Sequence, residues 1–419
     1  MMIQKKKVVI VGGGFAGVQI AKSLDTKLFD ILLIDKLNHH QFQPLFYQVA
    51  TSQIEPSSIS FPLRNVFKRS KNIKIRMGEV TEIITESKLL KTSIGDYTYD
   101  YLILAMGCKT NFFGNAAIEK YAYTLKTTYD SIELRNDILT IFEKTITATE
   151  EEKIQLMDLV IVGAGPTGVE LAGAYAEIKK HILPKDYPGI DFERFTIHLI
   201  EGSSSPLKSM SENAQKASAK YLKEMGVTLV TNTTVESYDG KTAVLSNGEK
   251  IATATLIWAA GVIGNKIKGL PEALFNRGNR LSVNRQNKLE NSEDIYVLGD
   301  LAHMVTEKYP NGHPQLANVA INQAKLLAKN LKLKAKGKAQ KEYEYRDLGS
   351  MATIGNNKAV VDLPFWKFKG FFAWLIWMFL HLMLILSVRS KLIIFINWAW
   401  KYATKNTSIR LILSPDRKR

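Results

Sequence analysis

Two glycine-rich turns constrain the fold of this chain more than any other feature. The first, GGGFAG at 12–17, follows a β-branched run at 8–11 and precedes a helical pattern that reaches about Leu24. A strand, a glycine turn and a helix in this order are typical of a Rossmann-like dinucleotide-binding fold of the α/β class, because glycines permit the tight turn, the approach to a pyrophosphate and close helix packing. The pattern predicts cofactor contacts at Gly12, Gly13, Gly14, Phe15 and Ala16.

An acidic residue stands where such a site needs one. The next predicted strand, 31–34, ends in Asp35, 21 residues after Gly14. A carboxylate there can accept hydrogen bonds from both ribose hydroxyls. A glycine turn without a ligand is the alternative interpretation, but it does not explain Asp35.

The same arrangement recurs later in the chain. A predicted strand at 159–162 precedes GAGPTG at 163–168, and the strand at 196–200 ends in Glu201. The Pro- and Gly-containing segment 181–195 is predicted to be a loop insertion. A carboxylate at the ribose position repels a 2′-phosphate, so NADH is favoured over NADPH. The predicted nicotinamide-dinucleotide contacts are Gly163, Gly165, Gly168 and Glu201.

A late strand at 295–298, followed by Gly299 and Asp300, gives a third landmark. Alone, Asp300 fits a helix cap equally well. With the two turns, it indicates that the chain leaves the first fold, builds the second and then returns. We therefore expect a flavin domain at 1–115 and 285–330, a nicotinamide domain at 155–270 and a tail at 335–419.

The tail is both basic and apolar. Residues 332–419 contain 17 Lys and Arg against 5 Asp and Glu, a net +12 of the total +16, and five of the six tryptophans. The run 370–388 has no Asp, Glu, Lys or Arg. A transmembrane helix and a buried helix are alternatives, but two amphipathic helices anchored in one leaflet fit the flanking cations better. The cations predicted near acidic lipid headgroups are Lys367, Lys369, Arg389, Lys391, Lys401 and Lys405.

These tail features favour a membrane surface over nucleic acid as the anionic partner. The single cysteine, Cys108, excludes an internal disulfide, a CxxC redox pair and a cysteine-based metal cluster. His39 and His40 have no cysteine or carboxylate cluster beside them, so we expect no catalytic metal.

Several longer motifs now resemble a known family. GGGFAG, GAGPTGVE, WAAGV (258–262) and IYVLGD occur in the order found in two-dinucleotide-binding flavoproteins with a glutathione-reductase-like fold. NHHQFQPLFYQVAT (38–51), DYLILAMG (100–107), GSMATIG (349–355) and the aromatic tail resemble type II NADH dehydrogenase, the single-subunit NADH:quinone oxidoreductase. The resemblance implies bound FAD, NADH as substrate, a quinone acceptor, no proton pumping and peripheral attachment to the cytoplasmic side of the cell inner membrane.

The resemblance also implies residue roles. It makes Glu170 the candidate catalytic acid or base, although a glutamate on the first turn of its helix also complements the helix dipole. It adds Gly261 to the NADH contacts and assigns a quinone pocket to Asn318, Asn322 and Gln323, with asparagines where many members have glutamine. Trp377 is placed at the flavin or quinone pocket, with membrane packing as the alternative. The further FAD contacts it implies are Lys36, Val80, Asp300, Ala317, Asn318 and Trp377.

One cysteine also limits the electron acceptor. Without an internal dithiol, the electrons of a reduced flavin must leave the polypeptide. A lipid-soluble quinone fits a membrane-docked tail. The alternatives are a soluble acceptor such as ferredoxin, and a flavin redox sensor without fast turnover. A homodimer formed through the apolar helices is also possible.

Overall fold

The structure is a computed structural model that describes residues 4–70, 72–407 and 409–413. The first three residues and the last six of the predicted tail lie outside the described ranges. The strands are β1 (Lys6–Val11), β2 (Phe29–Asp35), β3 (His39–Gln41), β4 (Ser60–Pro62), β5 (Ile73–Met77), β6 (Val80–Ile84), β7 (Leu89–Thr92), β8 (Gly95–Thr98), β9 (Tyr101–Leu104), β10 (Cys108–Thr110), β11 (Asp158–Val162), β12 (Thr196–Ile200), β13 (Val227–Val230), β14 (Val235–Tyr238), β15 (Thr242–Leu245), β16 (Lys250–Ala252), β17 (Thr255–Trp258), β18 (Val262–Gly264), β19 (Leu281–Ser282), β20 (Ile295–Val297), β21 (Ala302–His303), β22 (Ser350–Gly355), β23 (Lys358–Asp362) and β24 (Lys367–Lys369). The α-helices are α1 (Phe15–Ser23), α2 (Phe46–Ala50), α3 (Pro56–Ile59), α4 (Leu63–Val66), α5 (Ala116–Tyr121), α6 (Thr128–Thr147), α7 (Glu150–Leu156), α8 (Pro166–His181), α9 (Leu183–Asp186), α10 (Glu212–Glu224), α11 (Ala317–Lys334), α12 (Phe371–Leu384) and α13 (Val388–Thr404).

The first of two compact units draws on residues 1–41, 61–109 and 262–346. Its five-stranded parallel sheet has the order β20-β9-β1-β2-β5. Alternate β1 residues face opposite sides, so that Val8 and Ile10 pack with α1 and α11, while Val9 and Val11 pack in a second apolar cluster. Burial on both faces explains the unbroken β-branched run in the sequence.

The last strand of this sheet comes late in the chain. β20 pairs with β9 through Ile295 opposite Leu102 and Val297 opposite Leu104. The chain therefore completes its first sheet only after building most of the second unit. The predicted limits of the flavin and nicotinamide domains stay a prediction, because those domains are defined by the nucleotide that each binds, whereas the two units are defined by their internal contacts.

The second unit draws on residues 42–60 and 110–261 and on the chain from 347 onward. Its four-stranded parallel sheet has the order β13-β12-β11-β17, and an antiparallel sheet of β22, β23 and β24 packs through β22 against α8. Two parallel sheets, each with a helix after its glycine turn, confirm the predicted α/β class. The segment 181–195, expected to be a loop, contains α9 and a short 3-10 turn, Phe192–Arg194, because Pro184 is well placed in a first helical turn.

The tail forms two helices inside the second unit. α12 ends at Leu384, because the backbone of the next residue, Ile385, is extended. The Ser387 side chain then accepts a hydrogen bond from the Ser390 N–H and caps the start of α13. The uncharged run 370–388 thus forms one helix, α12, and a short connection, and α13 begins at its last residue. Among the described residues, no helix combines the length and the apolar character needed to cross a membrane.

Candidate active site

The first glycine turn leaves no room for side chains at two positions. Gly12 has φ +105°, and a Cβ there would lie 2.4 Å from the Ala105 carbonyl oxygen. A Cβ on Gly17 would lie 1.7 Å from the Gly12 oxygen, so α1 packs directly on the turn. Gly14 precedes α1 without a side-chain cap, and a Cβ there meets nothing within 4 Å. The turn therefore presents a helix N-terminus beside open space, which fits a pyrophosphate.

Asp35 closes this turn from β2. Its carboxylate accepts hydrogen bonds from the Gly13 N–H and, at 2.6 Å, from the Leu37 N–H. Burial raises the pKa of Asp35, and these two hydrogen bonds oppose that effect. Two further predicted contacts, Lys36 and Val80, are linked through Glu79. Lys36 Nζ lies 2.5 Å from Glu79 Oε1, and Val80 follows Glu79 in the chain and begins β6. The geometry fits an adenosine end of FAD in this region.

The second turn repeats this arrangement. Gly163 has φ +98°, and a Cβ on Gly168 would lie 1.9 Å from the Gly163 oxygen. Glu201 accepts from the Ala164 N–H at 2.6 Å and from the Ser203 N–H at 2.7 Å. Each acidic residue therefore binds the middle of its glycine turn and the amide two residues after itself.

Two further glycines of the second site fit the same role. Gly165 precedes α8 without a side-chain cap, and Pro166 opens the helix. Gly261 has φ +80°, and a Cβ there would lie 2.9 Å from the Phe113 ring. The predicted NADH contacts Gly163, Gly165, Gly168, Glu201 and Gly261 all lie in this one unit.

The start of α11 holds the remaining predicted flavin and quinone contacts of the first unit. Leu316 precedes Ala317 without a side-chain cap, and the Asn318 Oδ1 is buried and meets no donor among the described residues. Asn322 is exposed, one turn further along. The uncapped helix N-terminus offers N–H donors and the Asn318 oxygen is an acceptor, which fits a ligand that carries both hydrogen-bond acceptors and donors.

Two of these residues have structural partners. The buried Gln323 side chain accepts the Gly299 N–H at 2.8 Å, which joins α11 to the turn after β20. The Asp300 carbonyl accepts from Arg280 Nε at 3.0 Å and from Gln315 Nε2 at 3.2 Å. Since Gln323 Oε1 already accepts the Gly299 N–H, any quinone contact by Gln323 must come from its amide nitrogen or share Oε1 with Gly299.

Glu170 lies in a very different environment. It is the fifth residue of α8, beyond the first turn, so the helix-dipole interpretation is wrong. Its side chain is 8% exposed and accepts the Thr353 N–H at 3.4 Å. Burial raises the pKa of Glu170 to about 8, against opposing effects of Thr353 and Trp377. The carboxyl group is therefore mostly protonated at neutral pH.

Glu170 lines a cleft within the second unit. The cleft encloses about 440 Å³ including its open mouth. The residues around it come from α2, α8, the β22–β23 sheet, α12 and α13: Tyr47, Gln48, Gln53, Glu170, Ala174, Glu177, Thr353, Gly355, Asn356, Trp374, Trp377, Met378, Trp398 and Lys401.

Aromatic rings form one wall of this cleft. Trp377 is 2% exposed and stacks on His381 with ring centroids 4.0 Å apart, while its indole N–H meets no acceptor with hydrogen-bond geometry among the described residues. Trp398 donates to Gln48 Oε1 at 2.8 Å. Membrane packing is thus the wrong interpretation of Trp377, since its side chain is buried against the protein.

A charged pair forms another part of the cleft lining. Lys401 Nζ lies 2.7 Å from Glu177 Oε2 and 2.9 Å from Gln53 Oε1. The side chains of Lys401 and Glu177 are only 15% and 11% exposed. The prediction that Lys401 faces lipid headgroups is therefore wrong, because its ammonium group points into the unit. Gly355 and Asn356 close this wall through the Asn356 N–H, which also binds Glu177.

Sequence reasoning missed most of this cleft. Tyr47 and Gln48 belong to the motif at 38–51, and Gln53 follows it by two residues. Thr353 belongs to GSMATIG, so the motifs carried a signal without a role. Glu177 carried a signal as well, since it lies two helical turns after Glu170 on the same face of α8. The sequence offers no signal that joins it to Lys401.

Metal chemistry has no obvious site here. In the part of the chain that the structure describes, no three His, Cys, Asp or Glu side chains are grouped to hold an ion. Cys108 is buried, and Gln315 Nε2 lies 2.9 Å from its sulfur. The expectation of no catalytic metal stays a prediction.

Comparison with known proteins matches two families along the chain. Residues 6–324 match the pyridine nucleotide-disulphide oxidoreductases, and residues 348–404 match the NDH2 C-terminal domain. The second match contains Thr353, Trp377 and Lys401, three residues of the cleft.

Individual relatives cover nearly the whole chain. The type II NADH:quinone oxidoreductase Ndh of Mycobacterium tuberculosis is 33% identical, over 94% of this chain and 88% of the relative. The internal alternative NAD(P)H-ubiquinone oxidoreductase A1 of Arabidopsis thaliana mitochondria is 28% identical, over 94% and 84%. The structure of NDH2 from Plasmodium falciparum in complex with NADH matches with a TM-score of 0.89 at 22% identity, over 98% of this chain and 100% of that one.

Proposed function

The chain belongs to the type II NADH:quinone oxidoreductases, and from this premise we propose that it transfers two electrons from NADH by way of FAD to a membrane quinone without pumping protons. The observation that carries this proposal is the buried Glu170 in an aromatic cleft, within a chain that matches a curated member of the family over 94% of its length. The single cysteine excludes the internal dithiol that disulphide-reducing members of the wider fold use.

The two glycine turns divide the nucleotides between them. We assign FAD to Gly12, Gly13, Gly14, Phe15, Ala16, Asp35, Lys36, Val80, Asp300, Ala317 and Asn318. The second turn, with Glu201, would hold NADH, and a carboxylate already committed to Ala164 and Ser203 disfavours a 2′-phosphate. When bound, FAD supplies the chemistry that accepts a hydride from NADH and returns two electrons to a quinone. Trp377 is assigned to the quinone cleft and as an FAD contact.

Glu170 serves as the acid of the quinone reaction. The overall conversion, NADH + H⁺ + quinone → NAD⁺ + quinol, consumes one proton from water. A carboxyl group whose pKa is about 8 holds that proton at neutral pH and is well matched to donate it. The aromatic wall of Trp374, Trp377 and Trp398 offers flat apolar surfaces for a quinone ring. Asn318, Asn322 and Gln323 remain the candidate quinone contacts of the first unit.

The tail helices fit a lipid surface. Large apolar side chains on α12, on α13 and on the turn between β23 and β24 are exposed, among them Phe365, Phe372, Phe379, Val388, Phe395 and Ile396. Lys367, Lys369 and Arg389 are also exposed beside them, which suits acidic headgroups. We assign this surface to the cytoplasmic side of the cell inner membrane as a peripheral attachment within a respiratory chain. Pairing of two chains through part of the same surface is a further expectation.

The proposal is tested by following NADH oxidation and flavin absorbance with a short-chain quinone. NADH should bleach the flavin, and quinone should restore its absorbance with steady turnover. A flavin that NADH bleaches but quinone fails to reoxidise would contradict the proposal and favour another acceptor.

A further inference from the structure

A second cavity adjoins the cleft around Glu170. Both are lined by Gln53, Ala174, Glu177, Asn356 and Lys401. Beyond this shared wall, the second cavity continues to His181, Lys405 and Thr407 at the end of α8. His181 and Lys405 are partly exposed, whereas Glu170 is buried. The shared wall therefore separates a buried acid from a partly exposed histidine.

One face of α8 carries the polar groups of both cavities. Glu177 and His181 follow Glu170 by 7 and 11 residues, and at 3.6 residues per turn all three project from the same side of the helix. Glu177 stands between them and contacts Lys401 at 2.7 Å. Titratable groups of α8 are thus spaced from the buried cleft to the partly exposed end of the helix.

The reaction needs such a path. Two electrons and two protons convert a quinone to a quinol, and NADH supplies both electrons but only one proton. The second proton must come from water. Glu170 is 8% exposed and sits in an aromatic cleft, so after each donation it requires a route for reprotonation.

We propose that His181 and the Glu177–Lys401 pair form the route by which a proton from solvent reaches Glu170. In each cycle the bond from Glu170 to its proton breaks as a quinol O–H forms, and a proton from water replaces it through this route. No other oxidant or reductant takes part. The inference rests on the proposed function, and it assigns relay roles to residues other than the acid itself.

The surroundings of each relay group suit proton movement. Glu177 faces Lys401 of α13, Gln53 after α2 and the Asn356 N–H before β23. His181 faces Lys180, Glu177, Lys405 and Lys185, and burial together with Lys180 lowers the pKa of His181. A neutral imidazole at physiological pH can take a proton from water and release it. Glu170 faces Tyr47, Thr353 and Trp377.

The test separates proton delivery from electron delivery. Ferricyanide accepts electrons without taking up protons, whereas a quinone needs both. In Glu177→Gln, which retains the shape of the side chain, we expect kcat with a short-chain quinone to fall about tenfold or more, increasingly so above pH 7. The NADH:ferricyanide rate should change less than about twofold, and the solvent deuterium isotope effect on quinone turnover should rise.

A cavity variant gives a sharper criterion. In Glu177→Ala, added formate should restore part of the quinone turnover, because a small acid can occupy the space and carry the proton. A purely structural role for the pair predicts a higher KM for quinone at every pH, no isotope effect and no rescue by formate. That pattern would overturn the relay.

The controls are an exposed ion pair of the same unit and a conservative change. Glu212→Gln and Lys216→Met remove a pair that lies on the surface of α10, and both should leave all rates unchanged. Lys401→Arg should retain more quinone turnover than Lys401→Met. A wild-type enzyme without quinone turnover would defeat the proposed function itself, whereas an active wild type with unaffected Glu177 variants would defeat only the relay.

Discussion

Glu170 shows how one buried side chain sets chemistry. An ionised carboxylate loses its hydration when buried, and only the Thr353 N–H and the nearby Trp377 compensate for it here. The protonated form is therefore favoured until pH reaches about 8. The same residue on an exposed helix would be ionised at neutral pH and could not act as an acid.

The first prediction concerns this proton. Wild-type quinone turnover should decline as pH rises through about 8, where Glu170 loses its proton. Glu170→Gln should lower kcat with quinone about a hundredfold, since a positioned acid contributes on that order, and should abolish the decline. Flavin reduction by NADH in a stopped-flow instrument should be nearly unchanged. A variant with wild-type quinone kinetics would remove Glu170 from the catalytic role.

The second prediction concerns stability. The folded protein holds a proton on Glu170 up to about pH 8, whereas the unfolded chain releases it near pH 4.5. Folded molecules therefore bind more protons between these values, and the contribution of Glu170 to stability is lost as pH rises through about 8. Glu170→Gln lacks this dependence. Its melting temperature relative to wild type should rise from pH 5 to pH 8, and a constant difference would contradict the raised pKa.

Among the elements, the two glycine turns are the most determined by local sequence. In each turn, the last glycine packs against the carbonyl oxygen of the first glycine, five residues earlier in the chain. The contact therefore depends only on residues that are close in sequence. α7 is local as well: Thr149 and Glu152 form a capping box at its start. The sequence pattern T-x-x-E at 149–152 is a signal for the start of this helix.

The third prediction compares two glycines of one turn. Gly17→Ala should destabilise the protein by several kcal/mol, because its Cβ would meet the Gly12 oxygen at 1.7 Å. Gly14→Ala has open space and an ordinary φ of −74°, so it should fold normally. Since Gly14 faces the proposed pyrophosphate, that variant should bind FAD more weakly. Thermal melts and flavin content separate the two, and equal stability of both variants would contradict the packing argument.

At the scale of the whole molecule, the tail combines two tasks. Trp377, Trp398 and Lys401 point inward to the cleft, while Phe372, Phe379 and Ile396 are more than half exposed. Deleting the tail would therefore remove the cleft as well as the exposed surface. Substitutions of single residues on the exposed face test membrane attachment while leaving the cleft in place.

The fourth prediction follows from that division. Replacing Phe372, Phe379 and Ile396 together by serine should release the protein from vesicles that contain phosphatidylglycerol, while NADH:ferricyanide activity is retained. Each buried apolar side chain contributes about 1.5–3 kcal/mol of transfer free energy, so three should lower binding by several orders of magnitude. Ile154→Ser, on exposed α7, is the control and should bind as wild type does. Undiminished binding of the triple variant would contradict the assignment of this surface.

The sequence by itself determined the α/β class, both glycine turns with their acidic partners, and the presence of a basic apolar tail. These features depend on contacts between near neighbours, on strand alternation and on residue composition, all of which a linear pattern records. Only the tertiary structure decided that Trp377 and Lys401 turn inward and that Glu170 is buried. Lys401 and Glu177 are 224 residues apart, and no local pattern encodes that they meet.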